Sequence, residues 1–210
     1  MTQKYDLIAF DLYDTLLDGY DHKFFSELGL RLKKHVKNPE NIKKRLTKNY
    51  TNLSEFVQDV APGLNIDLSF YEDRLNQVLG SISLFEQVIP TLQTLRTEGY
   101  KTAVISNLST QFKEPFYRLG LDKIMDFIIF SCDVGYTKKD PLIFQKLIDD
   151  SKIPKEKIIM IGDNFMMDYK APREIGIDSI LLERDPKLFG LWNKKDIIVV
   201  SSLNDIHKYL

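Results

Sequence analysis

The chain is 210 residues long, which suits one medium-sized domain or a core domain that carries an insertion. Hydrophobic residues make up 43% and charged residues 28%, so a folded chain is expected and intrinsic disorder is not. The 29 basic and 30 acidic residues give a formal net charge of −1, which argues against nucleic acid or a membrane surface as a partner. We expect a cytoplasmic protein, because the first ten residues are too charged for a secretory signal and the single cysteine, Cys132, excludes an internal disulfide.

Six short apolar runs predict buried β-strands. They are Asp6–Phe10, Lys101–Ile105, Phe127–Phe130, Lys157–Ile161, Ser179–Leu182 and Ile197–Val200. Segments with helical signals alternate with these runs, such as the apolar stripe that ends at Gly99 and the stretch that opens with Asp140 as a cap. Continuous apolar strands that alternate with helices are typical of a parallel sheet covered on both faces.

This alternation is absent between about residues 18 and 85, where helical patterns follow one another. Asn38 and Pro39 open one predicted helix, and Ser69 with Glu72 reads as a capping box that opens another, which ends near Gly80. The sequence therefore predicts an all-helical module inserted after the first strand.

Polar residues directly follow several predicted strands, and they are the main candidates for chemistry. Ligands of doubly wound sheets bind beyond the carboxyl ends of the strands. Asp11 follows the first strand and offers a carboxylate that can act as a nucleophile. Ser106 and Asn107 follow the second strand, where a hydroxyl and a backbone N–H can bind an anionic oxygen. Taken singly, each residue also fits an ordinary turn or helix cap.

Charged residues occupy two further positions of this kind. Lys138 can neutralise a phosphate or a carboxylate as a point charge, although Lys139 beside it leaves the choice of lysine open. Asp163 and Asp168 lie five positions apart in a strand-to-helix turn and suit a hard divalent cation, with a helix cap and salt bridge as the alternative. All of these residues together supply a nucleophile, an anion site, a cation and metal ligands.

In their order and spacing, the segments FDLYDTLL, VISN, GYTKKDPLIF and IGDNFMMD resemble the four motifs of the haloacid dehalogenase-like hydrolase superfamily. The resemblance covers nearly the whole chain. It implies a three-layer α/β/α, Rossmann-like core of residues 1–16 and 86–210. It also implies that residues 17–85 form a helical cap, which closes over the site and selects the substrate.

The resemblance also implies a Mg²⁺ cofactor. Asp11 would be both the nucleophile and a metal ligand, the Tyr13 backbone carbonyl would be a second ligand, and Asp163 would complete the site. Asp168 would support metal-bound water or the motif-three lysine.

The transferring group is assigned to other residues by the same resemblance. Ser106 and the backbone N–H of Asn107 would hold it, and Lys138 would stabilise its charge, while Thr15 would support the turn of the first motif. The expected substrate is a small phosphorylated molecule, and the expected protein is a monomer or a homodimer.

Tyr13 is the main departure from the phosphatase pattern, because most phosphatases of the family carry a second aspartate there to protonate the leaving group. A phenol with an ordinary pKa of ~10 is a poor general base at neutral pH. Tyrosine at this position resembles the 2-haloacid dehalogenases, which need no metal and use an arginine to hold the substrate carboxylate. Arg31 and Arg45 of the inserted segment are candidates for that arginine, but a solvated helix position is the preferred interpretation of each. Asp163 instead favours a metal-dependent phosphatase, since it would repel Asp11 without a bridging cation.

Three hypotheses follow, in order of preference. The first is a Mg²⁺-dependent phosphoric-monoester hydrolase that forms a phospho-aspartyl intermediate. The second is a 2-haloacid dehalogenase. The third is a catalytically weak protein that binds a phosphorylated ligand or a partner protein.

Overall fold

The computed structural model describes residues 3–21, 23–192 and 197–210. Residues 1, 2, 22 and 193–196, which fall within the core and cap segments expected from the sequence, lie outside the described residues. The strands are β1 (Leu7–Phe10), β2 (Leu17–Asp18), β3 (Ser83–Leu84), β4 (Lys101–Ser106), β5 (Phe127–Phe130), β6 (Ile158–Gly162), β7 (Asp178–Leu182) and β8 (Val199–Val200).

The α-helices are α1 (Phe24–Leu32), α2 (Leu53–Val60), α3 (Ser69–Ser81), α4 (Val88–Thr97), α5 (Glu114–Arg118), α6 (Ser131–Val134), α7 (Leu142–Ser151), α8 (Ala171–Glu174) and α9 (Pro186–Trp192). Short 3₁₀ helices cover Pro39–Leu46, Thr110–Lys113, Leu121–Lys123, Lys155–Lys157 and Leu203–Tyr209. A single π-helical turn spans Phe165–Lys170, directly beyond β6.

Six of the strands form one parallel sheet in the order β5-β4-β1-β6-β7-β8, which confirms the predicted α/β, Rossmann-like fold. The central strand, β1, is apolar throughout because the sheet is covered on both faces. Ile8 and Phe10 pack into a hydrophobic cluster on one face, while Leu7 and Ala9 pack into the cluster on the other. The alternation of strand side chains thus explains why the run shows no polar positions.

The segment between β1 and β4 is mostly helical, with one difference from the prediction. Strands β2 and β3 pair antiparallel through Leu17 with Leu84 and Asp18 with Ser83, and they bring the two ends of the inserted segment together. Strands of two residues are too short to show a period in the sequence. For this reason the sequence predicts an all-helical module without these two strands. The extent of a separate cap at residues 17–85 stays a prediction.

The helix predicted to open at Asn38 and Pro39 begins there but is not an α-helix, and the helix predicted to open at Ser69 uses a different cap. The segment that follows Asn38 is a 3₁₀ helix in which none of the residues is buried, so no apolar face stabilises a longer α-helix there. Helix α3 begins at Ser69, whose N–H donates to Asp67 Oδ1 at 2.9 Å, so Asp67 takes the part that the capping box assigned to Ser69.

Apolar side chains of the inserted segment and of the main domain belong to one hydrophobic cluster. Phe24, Leu28 and Val57 of the insertion are buried in the cluster that also contains Phe112 and Phe116. The insertion is therefore packed on the main domain through shared apolar contacts.

A polar contact, which we call the latch, ties residue 49 of the insertion to the main domain. Asn49 Nδ2 donates to Asp133 Oδ1 at 2.8 Å, and Asn49 Oδ1 accepts from Thr110 Oγ1 at 2.9 Å and from Lys113 Nζ at 3.1 Å. The backbone N–H of Tyr50 donates to Thr110 Oγ1 at 3.0 Å. The latch thus holds the second half of the insertion beside the carboxyl ends of the strands.

In the part of the chain that the structure describes, none of the helices combines the length and the apolar content needed to cross a bilayer.

Candidate active site

Three neighbouring strands in the middle of the sheet, β4, β1 and β6, end at one cluster of polar side chains. Asp11 directly follows β1, and its N–H donates to Ile161 O of β6 at 2.8 Å, so the parallel ladder continues to the nucleophile candidate. Ser106 is the last residue of β4, and Asp163 follows the last residue of β6. This convergence follows from the parallel order, in which neighbouring strands end at the same edge.

Lys138 lies at the centre of the cluster with only 2% of its surface exposed. Its Nζ donates to Asp11 Oδ1 and, at 2.6 Å, to Asp168 Oδ1. Its backbone N–H donates to Asn107 Oδ1 at 2.9 Å, which holds the lysine loop against the end of β4. Lys139 is exposed, so Lys138 is the lysine that the fold directs toward Asp11.

Asp168 is held by both of its oxygens and is 1% exposed. Oδ1 faces Lys138, and Oδ2 accepts the backbone N–H of Asn164 at 3.0 Å. Gly162 makes room for this carboxylate, because a Cβ at that position would lie 2.5 Å from Asp168 Cβ, Cγ and Oδ2. Asn164 caps the π-helical turn by accepting the N–H groups of Met166 and Met167, each at 3.1 Å.

Burial dominates the titration of the two other carboxyl groups. It raises the pKa of Asp11 to about 8, with repulsion from Asp168 and Asp163 adding to the effect and Lys138 opposing it. It raises the pKa of Asp163 to about 6, and the neighbouring charges of Asp168 and Asp14 act in the same direction. Burial lowers the pKa of Lys138, but the Asp11 and Asp168 carboxylates outweigh it and raise that pKa overall. The two carboxylates therefore favour the protonated form of Lys138.

The donor set fits a hard divalent cation. Asp11, Asp163 and Asp168 each offer a carboxylate oxygen, and these atoms lie within 4.8 Å of one another. Lys138 supplies a single positive charge to this group of three acids, and repulsion between the carboxylates adds to the effect of burial in raising the pKa values of Asp11 and Asp163. Oxygen ligands in a small, partly hydrated site are what Mg²⁺ requires.

Thr15, Ser106 and Asn107 lie where the sequence places them, around the same space. Thr15 is fully buried, and its Oγ1 lies 3.4 Å from Asp163 Oδ1 in a donating geometry. Ser106 and Asn107 line a cavity of about 180 Å³ together with Asp11 and Lys138. The structure thus brings together all the site residues expected from the sequence.

The Tyr13 hydroxyl is engaged in a hydrogen bond that makes it unsuited to proton transfer. It donates to the backbone carbonyl of Phe112 at 2.7 Å, and its ring lies edge-on to the Phe112 ring with centroids 5.8 Å apart. Burial raises the pKa of this phenol, so it stays neutral. Tyr13 consequently lines the cavity as an apolar wall and offers no acid or base through its side chain.

Arg184 is a site residue that the sequence reasoning missed. It follows β7, and its guanidinium group donates to Asp14 O and, at 2.8 Å, to Thr15 O. Burial lowers the pKa of Arg184, an effect that nearby Asp163 and Asp14 oppose. The signal that could have found it is the one used for the other positions, namely a charged residue just beyond a predicted strand.

Tyr20, Asn164 and Met167 also line the cavity and were not predicted as site residues. Tyr20 comes from the start of the insertion, and its ring centroid lies 4.7 Å from that of Tyr13. No local pattern marks Tyr20, because it reaches the cavity only through the folding of the insertion over the sheet.

The chain resembles known proteins in both sequence and fold. Residues 5–176 match the family model described as haloacid dehalogenase-like hydrolase. The human protein named haloacid dehalogenase-like hydrolase domain-containing protein 3 is 36% identical over 92 residues, which are 44% of this chain and 37% of that protein. The chain spans only 37% to 43% of the length of this relative and its vertebrate counterparts.

Two further similarities extend over most of the chain. The glyceraldehyde 3-phosphate phosphatase of Methanothermobacter thermautotrophicus is 26% identical over 198 residues, which cover 85% of both chains. The crystal structure of a 2-haloacid dehalogenase from Pseudomonas syringae superimposes with a TM-score of 0.67 at 19% identity and covers 97% of each chain. Since a phosphatase and a dehalogenase both resemble this chain, the choice of reaction depends on the site residues.

Proposed function

Because this chain belongs to the haloacid dehalogenase-like hydrolase family, we propose that it is a Mg²⁺-dependent phosphoric-monoester hydrolase acting on a small phosphorylated molecule. The observation that carries the proposal is the cluster of Asp11, Asp163 and Asp168, whose carboxylate oxygens lie within 4.8 Å of one another. Lys138 offsets only one of the three negative charges that the ionised carboxylates carry, so the cluster supports the binding of a further cation.

Mg²⁺ would be held by Asp11 and Asp163, with the Tyr13 backbone carbonyl as a third ligand. Both oxygens of Asp168 already accept hydrogen bonds, which favours a role for Asp168 in holding Lys138 and metal-bound water. When bound, Mg²⁺ supplies charge neutralisation between the nucleophile and the phosphoryl oxygens.

The proposed reaction has two steps, in which Asp11 is the nucleophile and other residues bind the phosphoryl group. An Asp11 oxygen forms a bond to phosphorus while the bond between phosphorus and the leaving oxygen breaks, and the leaving alcohol takes a proton from water. Water next attacks the phosphorus of the phospho-aspartyl group, which releases inorganic phosphate and restores the Asp11 carboxylate. Lys138, Ser106 and the Asn107 N–H would bind the phosphoryl oxygens during both steps, and their place in the lining of the cavity supports this role.

Tyr13 sets an expectation for the leaving group. Its hydroxyl donates a hydrogen bond to Phe112 O, so this side chain does not protonate the departing oxygen. Loss of general acid help costs typically ~10²- to 10⁴-fold in rate, and the loss is smallest for a leaving group that is already acidic. The proposal therefore includes a preference for such leaving groups. It also includes a cytoplasmic enzyme, a monomer or homodimer, that acts without a nucleic-acid or membrane partner.

The proposal is tested with para-nitrophenyl phosphate, whose acidic leaving group needs little protonation. Turnover is measured with Mg²⁺ and with EDTA, for the unaltered protein, for Asp11→Asn and for Asp150→Asn, a control on the exposed side of α7. We expect activity that EDTA abolishes and excess Mg²⁺ restores. Asp11→Asn should lower it at least ~10³-fold, whereas Asp150→Asn should not.

A phosphorylated intermediate gives a second readout. After rapid acid quenching, intact-protein mass spectrometry should detect one added phosphoryl group on the unaltered protein and none on Asp11→Asn. Equal turnover by Asp11→Asn, or turnover that is indifferent to EDTA, would refute the proposal. Phosphate binding without any turnover would instead support a protein that binds a phosphorylated ligand.

Tyr13 favours one other candidate, a 2-haloacid dehalogenase. A halide leaves carbon without protonation, so the absence of an acid at this position is compatible with that reaction. Release of chloride from 2-chloropropionate in EDTA would support this candidate, and absence of release across a series of haloacids would exclude it.

A further inference from the structure

A second cavity of about 480 Å³, which we call the outer chamber, adjoins the catalytic cavity. It lies between the 3₁₀ helix Pro39–Leu46 of the insertion and the loop that carries Lys138. Asn107 and Met167 line both cavities, so the two spaces meet at these side chains. Arg45 of the outer chamber also interacts electrostatically with Tyr20, which lines the catalytic cavity.

The outer chamber carries an excess of positive charge. Lys43, Lys44, Arg45 and Lys139 line it, and Glu40 is the one acidic residue in its lining among the described residues. Glu40 pairs with Lys43 at 2.7 Å, and Asp59, which is outside the lining, pairs with Lys44 at 3.6 Å. Lys139 forms no ion pair with any described residue. Arg45 is partly buried, so salt screens its charge less than that of a fully exposed side chain.

The two cavities have opposite electrostatic character. The catalytic cavity is lined by four aspartates and one lysine and is suited to a metal ion and the phosphoryl group attached to it. At about 180 Å³ it leaves little room for the rest of a metabolite, and it adjoins the outer chamber at Asn107 and Met167. The space next to the catalytic cavity at these two side chains is therefore a basic chamber.

This inference rests on the proposed phosphatase function and names its substrate class. We propose that the outer chamber binds a second anionic group, a carboxylate or another phosphate, on the leaving-group side of the phosphomonoester. A guanidinium fork such as that of Arg45 pairs with either group through two parallel hydrogen bonds, and the Lys139 ammonium adds a point charge. Phosphomonoesters without a second anion bind less tightly.

Binding is measured by calorimetry on the Asp11→Asn protein with Mg²⁺, so that the result does not depend on turnover. Two matched pairs of ligands are compared, 3-phosphoglycerate against glycerol 3-phosphate and fructose 1,6-bisphosphate against fructose 6-phosphate. We expect the member with a second anion to bind at least about tenfold more tightly in one pair or both. The pair that shows the preference identifies the second group as carboxylate or phosphate. Affinities within twofold in both pairs would overturn the proposal.

Substitutions in the outer chamber assign the preference to its residues. Arg45→Gln and Lys139→Gln, each in the Asp11→Asn background, should reduce the preference about threefold or more. Arg45→Lys should keep part of it, which a purely structural role for Arg45 would not predict. Lys34→Gln, an exposed lysine of the insertion outside the chamber, is the control and should keep the full preference. A preference that persists in Arg45→Gln and Lys139→Gln together would also contradict the proposal.

Failure of the proposed function is recognised separately. Para-nitrophenyl phosphate has no second anionic group, so its turnover by the unaltered protein reports on the catalytic cavity alone. Turnover of this ester without a binding preference would leave the phosphatase proposal intact and reject the chamber. A binding preference without turnover of this ester would reject the phosphatase proposal and leave the anion-binding role of the outer chamber intact.

Discussion

The guanidinium group of Arg184 lies over the ring of Phe85, with Cζ 3.7 Å from the ring centroid. From there it donates to the carbonyl oxygens of Asp14 and Thr15. Asp14 has a φ of 60°, in the left-handed region that non-glycine residues rarely adopt. The stacked pair thus fixes a strained turn immediately after the candidate nucleophile.

Arg184→Met should misplace this turn and lower kcat for para-nitrophenyl phosphate by about 10²-fold, because a shift of 1 Å in catalytic groups has a cost of this size. The free energy of unfolding should fall by about 1–3 kcal/mol, since two partly buried carbonyls lose their donor. Steady-state kinetics at saturating Mg²⁺ and urea unfolding measure the two effects. Arg173→Met, which removes an arginine from the Tyr169 ring, is the matched control. Equal kcat values for both variants would show that Arg184 does not position the site.

Gly162→Ala should force the Asp168 side chain out of place, because the added Cβ would lie 2.5 Å from Asp168 Cβ. We expect a loss of about 1–3 kcal/mol in stability, as for other overpacked sites. Activity should also fall, since Asp168 would no longer hold Lys138. Gly80→Ala in α3 meets nothing within 4 Å and should instead stabilise the protein by up to about 1 kcal/mol. Stability is compared by thermal unfolding of both variants, and activity by their turnover of para-nitrophenyl phosphate. Normal activity in Gly162→Ala would contradict the prediction that Asp168 must hold Lys138.

Tyr13→Asp should supply the acid that this site lacks. Turnover of glycerol 3-phosphate should rise relative to that of para-nitrophenyl phosphate by about 10- to 10²-fold, because the alkyl leaving group needs a proton and the aryl group hardly does. Tyr13→Phe is the control, and it should leave the ratio unchanged while it lowers the free energy of unfolding by about 1–2 kcal/mol through the loss of the bond to Phe112 O. An unchanged ratio in Tyr13→Asp would mean that a proton comes from elsewhere.

Asn49→Ala should weaken the latch between the insertion and the main domain. The three hydrogen bonds of its side chain are exposed, so we expect a modest loss of about 1 kcal/mol, which opens the insertion more often. Hydrogen exchange should accelerate in α2, and KM should rise more than kcat falls. Asn38→Ala removes an asparagine cap from the same insertion, away from the latch, and tests for general loosening. Identical exchange in the two variants would argue against a specific latch.

Local sequence patterns anticipated most of the sheet and the chemical groups at its edge. The apolar runs predict strands to within one or two residues because the central strands are covered on both faces and the runs are bounded by polar turns. The position of Asp11, Ser106 and Asp163 at the ends of three strands then follows from parallel topology alone. The short β2–β3 pair was missed, and the helix that opens at Pro39 was expected without its 3₁₀ type, since neither segment has an apolar period long enough to detect.

The sequence by itself determined which residue types follow each strand, and hence the fold class and the candidate nucleophile, anion site and metal ligands. Only the tertiary structure decided which of two adjacent lysines faces Asp11, since Lys138 and Asp11 are 127 positions apart and their contact depends on the turn of one loop. It also decided that the Tyr13 hydroxyl donates to Phe112 O and that Arg184 holds the Asp14 turn, and it placed Arg45 in a basic chamber beside the site. These facts depend on the directions of side chains from distant segments, which no local pattern records.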